Sequence, residues 1–260
     1  MVRALAILLI LVTVALGQAP TEKSIVIADI ELEMIFVDAG TFTMGSPVEE
    51  PLRDKAEGPQ TKVRLTHPFW LGKTEVTQAQ YEAIIGTNPS RFKEVGPDAP
   101  VEEVSWDDCM KYCEILTERE RAANRLPEGY IYTLPTEAQW EYACRAGTKG
   151  DYAGNPSSMA WCNGNSNGTT HPVAQLRPND WGFYDMPGNI LEWCYDWYGS
   201  YPGGSVTDPQ GPESGHFRMA RGGSWRMDSS VGRSAARAGG SQARRDYTIG
   251  FRLALCKLEN

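Results

Sequence analysis

Beyond its first residues the sequence has no long apolar run, few histidines and no concentration of basic charge. Without a second stretch of about 20 apolar residues, no transmembrane segment is expected in the mature chain. The formal net charge is −8, and an acidic surface repels phosphates, so no nucleic-acid partner is expected. The three histidines are far apart in sequence, which is not typical of a three-histidine iron site.

The N-terminus has the pattern of a secretory signal peptide over residues 1–17. Arg3 precedes an apolar run, and small residues stand at Ala15 and Gly17, where a signal peptidase reads the chain. An uncleaved membrane anchor is the alternative. We therefore expect a secreted, periplasmic or cell-envelope protein with an extended N-terminal arm over residues 18–33 and one domain over residues 34–260.

Two segments near the start of this domain are expected to form strands. Met34 to Gly45 alternates β-branched and aromatic residues around a turn at Ala39-Gly40, which predicts two short strands. Lys62 to Glu75 is interpreted as one strand with Phe69 and Trp70 facing a core.

Three helices are predicted from their N-terminal capping residues, Thr77, Ser105 and Thr136. In each case the hydroxyl accepts from a free N–H of the first turn, and the residue three positions later reaches back to the cap. Gly86 and Gly147 are natural ends for the first and third helices. After Asp151, Gly, Pro, Asn and Trp dominate and little helix is expected.

The six cysteines permit up to three disulfides in an exported chain, with 15 possible connectivities. Buried free thiols are the alternative. Cys109 and Cys113 share one apolar face of the second helix, where core packing or separate distant partners are favoured over a metal site. The cysteines are Cys109, Cys113, Cys144, Cys162, Cys194 and Cys256.

Four motifs together resemble the formylglycine-generating enzyme (sulfatase-modifying factor) family. They are LPTEAQWEYA from Leu134, WGFYDMPGNILEW from Trp181, RGGSW from Arg221 and GFR from Gly250. The resemblance runs from about Met34 to about Leu255. It implies an α+β, elaborated C-type-lectin-like fold with a low content of regular secondary structure, although this fold hosts several activities.

The resemblance also implies structural calcium. The side chains of Asp185 and Glu192 and the carbonyls of Gly188 and Ile190 would supply the oxygen ligands that calcium prefers. A capped turn with solvent-facing acids is the alternative. A second calcium site would lie near Asn163 and Asn165, where a plain Asn/Gly turn is equally expected. Each list of ligands comes from the family and not from spacing alone.

The copper-binding cysteine pair of the catalytic family members has no counterpart here. Met227 and Gly232 stand where the two cysteines are expected, and no cysteine occurs between Cys194 and Cys256. Copper(I) prefers soft thiolate ligands, so copper-dependent cysteine oxidation is not expected of this atypical member. The resemblance further suggests a Cys113–Cys256 disulfide, and Cys162 could pair with Cys194.

The expected function is therefore a calcium-stabilised binding module for a peptide, a protein or a glycan. The proposed ligand groove consists of Trp181, Trp193, Arg221, Ser224 and Trp225. The alternative is a protein- or thiol-modifying oxidoreductase of the same family with a changed metal site, and a structural envelope component is a third. Whether the chain is an enzyme stays open.

Overall fold

The computed structural model describes residues 24–258, which form three β-sheets and four α-helices. The expected signal peptide lies outside these residues, as does the arm before Ser24. The strands are β1 (Ser24–Ile27), β2 (Leu32–Val37), β3 (Gly40–Met44), β4 (Thr61–Leu65), β5 (Phe69–Gly72), β6 (Tyr130–Thr133), β7 (Leu191–Trp197), β8 (Ser205–Thr207), β9 (Arg218–Arg221), β10 (Arg237–Gly240), β11 (Ile249–Gly250) and β12 (Ala254–Lys257). The helices are α1 (Gln78–Ile85), α2 (Trp106–Ala122), α3 (Glu137–Arg145) and α4 (Pro156–Met159).

The largest sheet is antiparallel and has the strand order β1-β2-β5-β12-β6. A four-stranded sheet, β10-β9-β7-β11, carries the C-terminal half, and β3-β4-β8 form a third sheet. Of the described part of the predicted arm, residues 24–33, Ser24–Ile27 pairs with β2 as the edge strand of the large sheet. Strand β5 pairs with β2, from the N-terminal part of the domain, and with β12, from its C-terminal end. The large sheet therefore joins the two ends of the domain.

The large sheet separates two hydrophobic cores, because successive side chains of a strand point to opposite faces. Trp70 packs in the core that includes α2, whereas its neighbours Phe69 and Leu71 pack in the core that includes α3. Phe69 and Trp70 are both fully buried, as their assignment to a core predicted.

All three predicted helices form, and each begins at the predicted cap. Thr77, Ser105 and Thr136 each complete a reciprocal capping box with the residue three positions later. Gly86 ends α1 in a left-handed conformation, whereas α3 ends one residue before the predicted Gly147, at Ala146. Within residues 24–258 no helix combines the length and the apolarity needed to cross a membrane.

The two strands predicted between Met34 and Gly45 are confirmed as β2 and β3. The single strand predicted over Lys62–Glu75 is wrong, because the chain turns at residues 66–68 and divides it into β4 and β5. Thr66 donates its N–H to the Asp208 carboxylate at 2.8 Å, and Pro68 has no N–H to give a strand ladder.

None of the suggested disulfides forms among the described residues. Cys113 is buried in the core beside α2, while Cys256 packs against the core on the opposite face of the large sheet. Successive residues of β12 alternate between these faces, so a Cys113–Cys256 bond would have to pass through the sheet. Cys194 is buried in the second core, and Cys162 is partly exposed elsewhere, so this second pairing is also absent.

Candidate functional site

Four distant segments of the chain converge on a narrow cleft, which is too tight in this structure to hold a water molecule. The turn after α4, the loop before β7, the loop after β9 and the segment at residues 228–232 each supply part of its wall. Its lining residues are Ala160, Cys162, Gly188, Gly222, Gly223, Ser224, Asp228, Ser229 and Gly232.

Glycine is required in this cleft because the backbones approach one another closely. Gly188 has a φ of 86°, and a β-carbon there would stand 2.8 Å from the amide nitrogen of Trp161. Gly222 has a φ of 97°, and a β-carbon there would stand 2.9 Å from the carbonyl oxygen of Met186. L-residues with a side chain rarely adopt such φ values. These two glycines therefore allow the segment containing Cys162 to lie beside the Gly-Gly-Ser turn.

Ser224, a predicted groove residue, does line the cleft. Its side chain is buried and its Oγ has no hydrogen-bond partner among the described residues. A buried hydroxyl without a partner costs about 1–3 kcal/mol, and such groups in native proteins need an explanation such as a ligand. Ser224 is therefore a buried polar group that lacks a partner in the closed cleft.

An aromatic cluster adjoins the cleft beside Ser224. Trp225 packs edge-on against Phe92, with ring centroids 5.4 Å apart, and lies 5.9 Å from Tyr247. The indole N–H of Trp225 donates to the carbonyl of Tyr247 at 3.2 Å. Phe92 and Tyr247 are half-buried, and the guanidinium of the exposed Arg91 lies 4.8 Å from the Tyr247 ring centroid. We call Phe92, Trp225 and Tyr247 the aromatic wall.

A second aromatic contact fixes the opposite side of the cleft. The rings of Trp161 and His171 stack with centroids 3.7 Å apart. The imidazole of His171 hydrogen-bonds the carbonyl of Ser166 at 2.8 Å, and the Ser166 hydroxyl donates to the carbonyl of Trp225 at 2.8 Å. The two sides of the cleft are therefore held at a fixed distance by a chain of contacts.

Of the five predicted groove residues, Ser224 alone lines this cleft; Trp225 belongs to the adjoining aromatic wall, and the other three lie elsewhere. Trp193 is fully buried and its indole N–H donates to the carbonyl of Val104 at 3.1 Å. Arg221 is fully buried, where it forms an ion pair with Glu141. Trp181 packs against Tyr142 at the edge of the second core, with ring centroids 4.9 Å apart. Their positions in the motifs did not indicate which of these side chains would be buried in the core.

The predicted calcium segment forms a tight loop, with positive φ at Asp185, Gly188 and Asn189. Asp185 is buried; its Oδ2 accepts from the Ala174 N–H at 2.7 Å and its Oδ1 has no partner. Burial raises the pKa of Asp185 to about 6. The loop also contains Ile190, which is fully buried.

Glu192, the second predicted carboxylate ligand, is occupied by other groups. It forms two hydrogen bonds of 2.6 Å with the Arg252 guanidinium and accepts from the Trp140 indole at 2.7 Å. The alternative was a capped turn whose acidic side chains face solvent. This is not observed either, because Asp185 and Glu192 are both buried. Sequence reasoning missed Glu75, whose Oε1 is buried without a partner near this loop.

Glu75, Asp185 and Glu192 form a buried acidic cluster around a single buried arginine, Arg252. Burial, and then the charges of Asp185 and Glu192, raise the pKa of Glu75 well above its ordinary value. Arg252 neutralises one of the three carboxylates. Glu75 and Asp185 each keep one unpartnered oxygen, but no group of three or more acidic, His or Cys side chains among the described residues is placed to hold a metal ion. A cation here would therefore also need backbone carbonyl ligands, which calcium accepts.

The second predicted calcium site has the contacts of a turn. Asn165 uses its side-chain oxygen to accept from the Cys162 N–H at 2.8 Å and its amide to donate to the Ala160 carbonyl at 3.0 Å. Asn163 is exposed, and its N–H donates to the Met227 carbonyl at 2.9 Å. These bonds match the Asn/Gly-turn alternative.

The two positions that replace the copper-binding cysteines differ in their surroundings. Gly232 lines the cleft near Ser224, whereas Met227 packs against the first core. Among the described residues Cys162 is the cysteine that lines the cleft. Its position was missed because no motif or spacing in the sequence links Cys162 to Ser224.

Comparison with known proteins identifies the family. The profile of the sulfatase-modifying factor enzyme 1-like domain matches residues 28–257, and the chain belongs to this family. Its fold is the elaborated C-type-lectin-like α+β fold of formylglycine-generating enzymes, as the sequence predicted.

Individual relatives cover nearly the whole domain. The chain is 30% identical to the chaperone protein LppX of Paenibacillus barcinonensis, over 85% of this chain and 87% of that protein. It is 29% identical to a formylglycine-generating enzyme of Streptomyces coelicolor, over 83% and 86% of the two chains. The solved structure of Treponema denticola variable protein 1 is 28% identical and superposes with a TM-score of 0.79, over 92% of this chain and all of that one.

Proposed function

We propose that this protein is an exported polypeptide-binding module that does not carry out copper-dependent cysteine oxidation. The observation that carries the proposal is the aromatic wall, in which the rings of Phe92 and Tyr247 are half-buried and pack with Trp225 next to the Gly-Gly-Ser turn. Partly exposed aromatic rings suit the apolar and aromatic side chains of a bound polypeptide. The similarity to a protein named as a chaperone supports a polypeptide ligand over a glycan.

The charges around the aromatic wall indicate which polypeptides would bind. Arg91 and Arg226 are both exposed, and their guanidinium groups lie 4.8 and 5.6 Å from the Tyr247 ring centroid. On a chain of net charge −8 this is a local basic area. We therefore propose a preference for segments that combine an aromatic residue with a nearby carboxylate.

The experiment compares two tyrosine substitutions in a titration with a labelled, unstructured peptide rich in aromatic and acidic residues. Tyr247→Ala removes a half-buried ring of the wall, and Tyr195→Ala removes an exposed ring from β7, which does not line the cleft. Loss of one central aromatic contact is expected to weaken binding about tenfold for Tyr247→Ala and to leave it unchanged for Tyr195→Ala. Equal effects of the two variants, or displacement of the peptide by oligosaccharides, would contradict the proposal.

We also propose a structural calcium ion at the loop of residues 185–190. Asp185 and Glu75 would supply carboxylates through their unpartnered oxygens, and the carbonyls of Gly188 and Ile190 would complete the set that the family resemblance implies. Glu192 would act indirectly, by holding Arg252 in place. Bound calcium would replace the protons that burial otherwise favours on these carboxylates.

The second candidate function is a thiol- or protein-modifying oxidoreductase with a changed metal site. One observation favours it, the partly exposed Cys162 in the same cleft as Ser224. A single thiolate is a poor substitute for a pair as a copper(I) site. Conversion of a cysteine to an aldehyde in a bound peptide would support this candidate over the first.

A further inference from the structure

A cavity of about 450 Å³ lies between strands β4 and β8 and the N-terminal end of α3. Cavities that hold small organic ligands typically measure about 300–1,000 Å³. Much of the wall is apolar and includes the side chains of Met44, Val63, Trp197 and Val206. No residue of the aromatic wall lines this cavity, which we call the β8 cavity, so it is separate from the proposed polypeptide-binding surface.

One side of the β8 cavity carries an ion pair whose hydrogen bonds are almost all used. Arg237 donates from Nε and Nη2 to the Glu137 carboxylate at 2.7 and 2.8 Å, and from Nη1 to the carbonyls of Ala56 and Gly199 at 2.8 Å each. The Tyr201 hydroxyl also donates to Glu137, at 2.9 Å. The pair is therefore electrically neutral, and its arginine has little capacity left to bind an anion.

A second acid of the β8 cavity, Asp196, lacks a cationic partner. Its side chain lines the cavity although the residue is only 3% exposed. Its Oδ2 accepts from the Glu137 N–H at 2.7 Å, and its Oδ1 accepts no hydrogen bond from another described residue. Arg221 and Arg237 approach Glu137 instead, and within residues 24–258 no cationic side chain forms an ion pair with Asp196. A buried carboxylate without a counter-charge is unfavourable, so a cation in the cavity would be stabilised here.

We propose that the β8 cavity binds a small organic amine in its ammonium form, with the ammonium on Asp196 and the carbon skeleton against the apolar wall. An ammonium group carries three N–H donors and no acceptor, which suits a carboxylate whose second oxygen is free of other donors. Hydrogen bonds between two charged groups are about twice as strong as neutral ones. A free amine and a lysine side chain present the same group on an apolar stem.

The protonation of Asp196 gives this binding a distinctive pH dependence. Burial, followed by the charge of Glu137, raises the pKa of Asp196 to about 8. The titratable and charged groups that act on it or respond to it are Glu137 of α3, Arg237 of β10, Arg218 of β9 and Cys194 of β7. Below pH 8 the ammonium must displace the carboxyl proton, while an alkylamine with a pKa near about 10 stays charged. Affinity should therefore rise with pH by up to about tenfold per unit and level off above about pH 8.

The test is a calorimetric titration of the folded protein with 2-phenylethylamine and with its neutral analogue 2-phenylethanol. At pH 8 the wild type should bind the amine at least about tenfold more tightly than the alcohol. Asp196→Asn should remove this preference, because the amide can still accept from the Glu137 N–H but carries no charge. Asp98→Asn, an exposed position that does not line the cavity, should leave it unchanged.

Two further variants locate the ligand. Val206→Phe fills part of the cavity and should weaken binding of the amine and the alcohol alike, whereas Tyr247→Ala, at the aromatic wall, should affect neither. A capped tripeptide with a central lysine distinguishes the two sources of the ammonium. Tighter binding of the tripeptide assigns the cavity to a polypeptide side chain, and tighter binding of 2-phenylethylamine assigns it to a free amine.

The wild type alone can contradict the inference, even if Asp196→Asn does not fold. Equal affinities for the amine and the alcohol, no binding of either ammonium ligand, or an amine affinity that is the same at pH 6 and pH 8 would overturn it. An amine preference that survives in Asp196→Asn would overturn it as well. None of these results bears on the polypeptide-binding function, which is measured at Tyr247.

Discussion

The close approach of two chain segments at Gly188 makes a quantitative prediction about the cleft. Gly188→Ala has two costs. The left-handed φ of 86° disfavours any β-carbon by about 1–2 kcal/mol. The new β-carbon would also press on the backbone of Trp161, which has no flexible end that can move away, and such overpacking costs about 1–3 kcal/mol.

The chain offers a matched control for this substitution. Gly86, at the end of α1, has the same φ of 86°, but a β-carbon there would meet no atom within 4 Å. Gly86→Ala therefore has only the conformational cost. The difference between the two variants in free energy of unfolding, measured by urea denaturation, should be about 1–3 kcal/mol.

A functional consequence accompanies the stability difference. Displacing Trp161 moves the turn that carries Cys162, so Gly188→Ala should also change the labelling rate of the Cys162 thiol, and Gly86→Ala should not. Equal losses of stability in the two variants would refute the claim that backbone contact at Gly188 defines the cleft.

Two further predictions concern buried carboxylates. Burial, and then the charge of Glu137, raise the pKa of Asp196 to about 8. A folded pKa above the unfolded value means that the native state binds more protons, so stability falls as pH rises between about 4 and 8. The free energy of unfolding, measured by urea denaturation, should therefore fall by up to several kcal/mol from pH 5 to pH 8 in the wild type, and by less in Asp196→Asn. Equal falls in the two proteins would contradict this prediction. Calcium at about 100 times its dissociation constant should add about 2.7 kcal/mol to the wild type, and much less to Asp185→Asn; a chelator without effect on the wild-type Tm would contradict the calcium proposal.

Local signals predicted the helices well because their chemistry is contained within a few residues. The capping boxes at Thr77, Ser105 and Thr136 need only a hydroxyl and a polar side chain three positions later. The turn that divides β4 from β5 depends instead on Asp208, which lies 142 positions from Thr66 in the chain. No reading of the sequence around Thr66 could supply that partner.

The family motifs identified segments that lie close together in the structure but did not predict the contacts of their side chains. Trp193 and Arg221 belong to the motifs, yet the structure uses both of them in the core. Glu192 is paired with Arg252, from another motif 60 positions later. Glu75 and Cys162 come to the site from segments where the sequence showed no functional signal. Motifs therefore predicted which segments meet, whereas burial and long-range pairing decided which atoms remain available.

The most direct measurement is mass spectrometry of a Cys-x-Pro-x-Arg peptide recovered after incubation with folded, calcium-loaded protein, oxygen and copper. The peptide is supplied with a free thiol and is extended by an aromatic and acidic segment, so that binding and chemistry are measured on one molecule. We predict that it is retained by the wild type, bound about tenfold more weakly by Tyr247→Ala, and recovered with its cysteine unchanged. Conversion of the cysteine to an aldehyde, or retention that does not depend on Tyr247, would contradict the account.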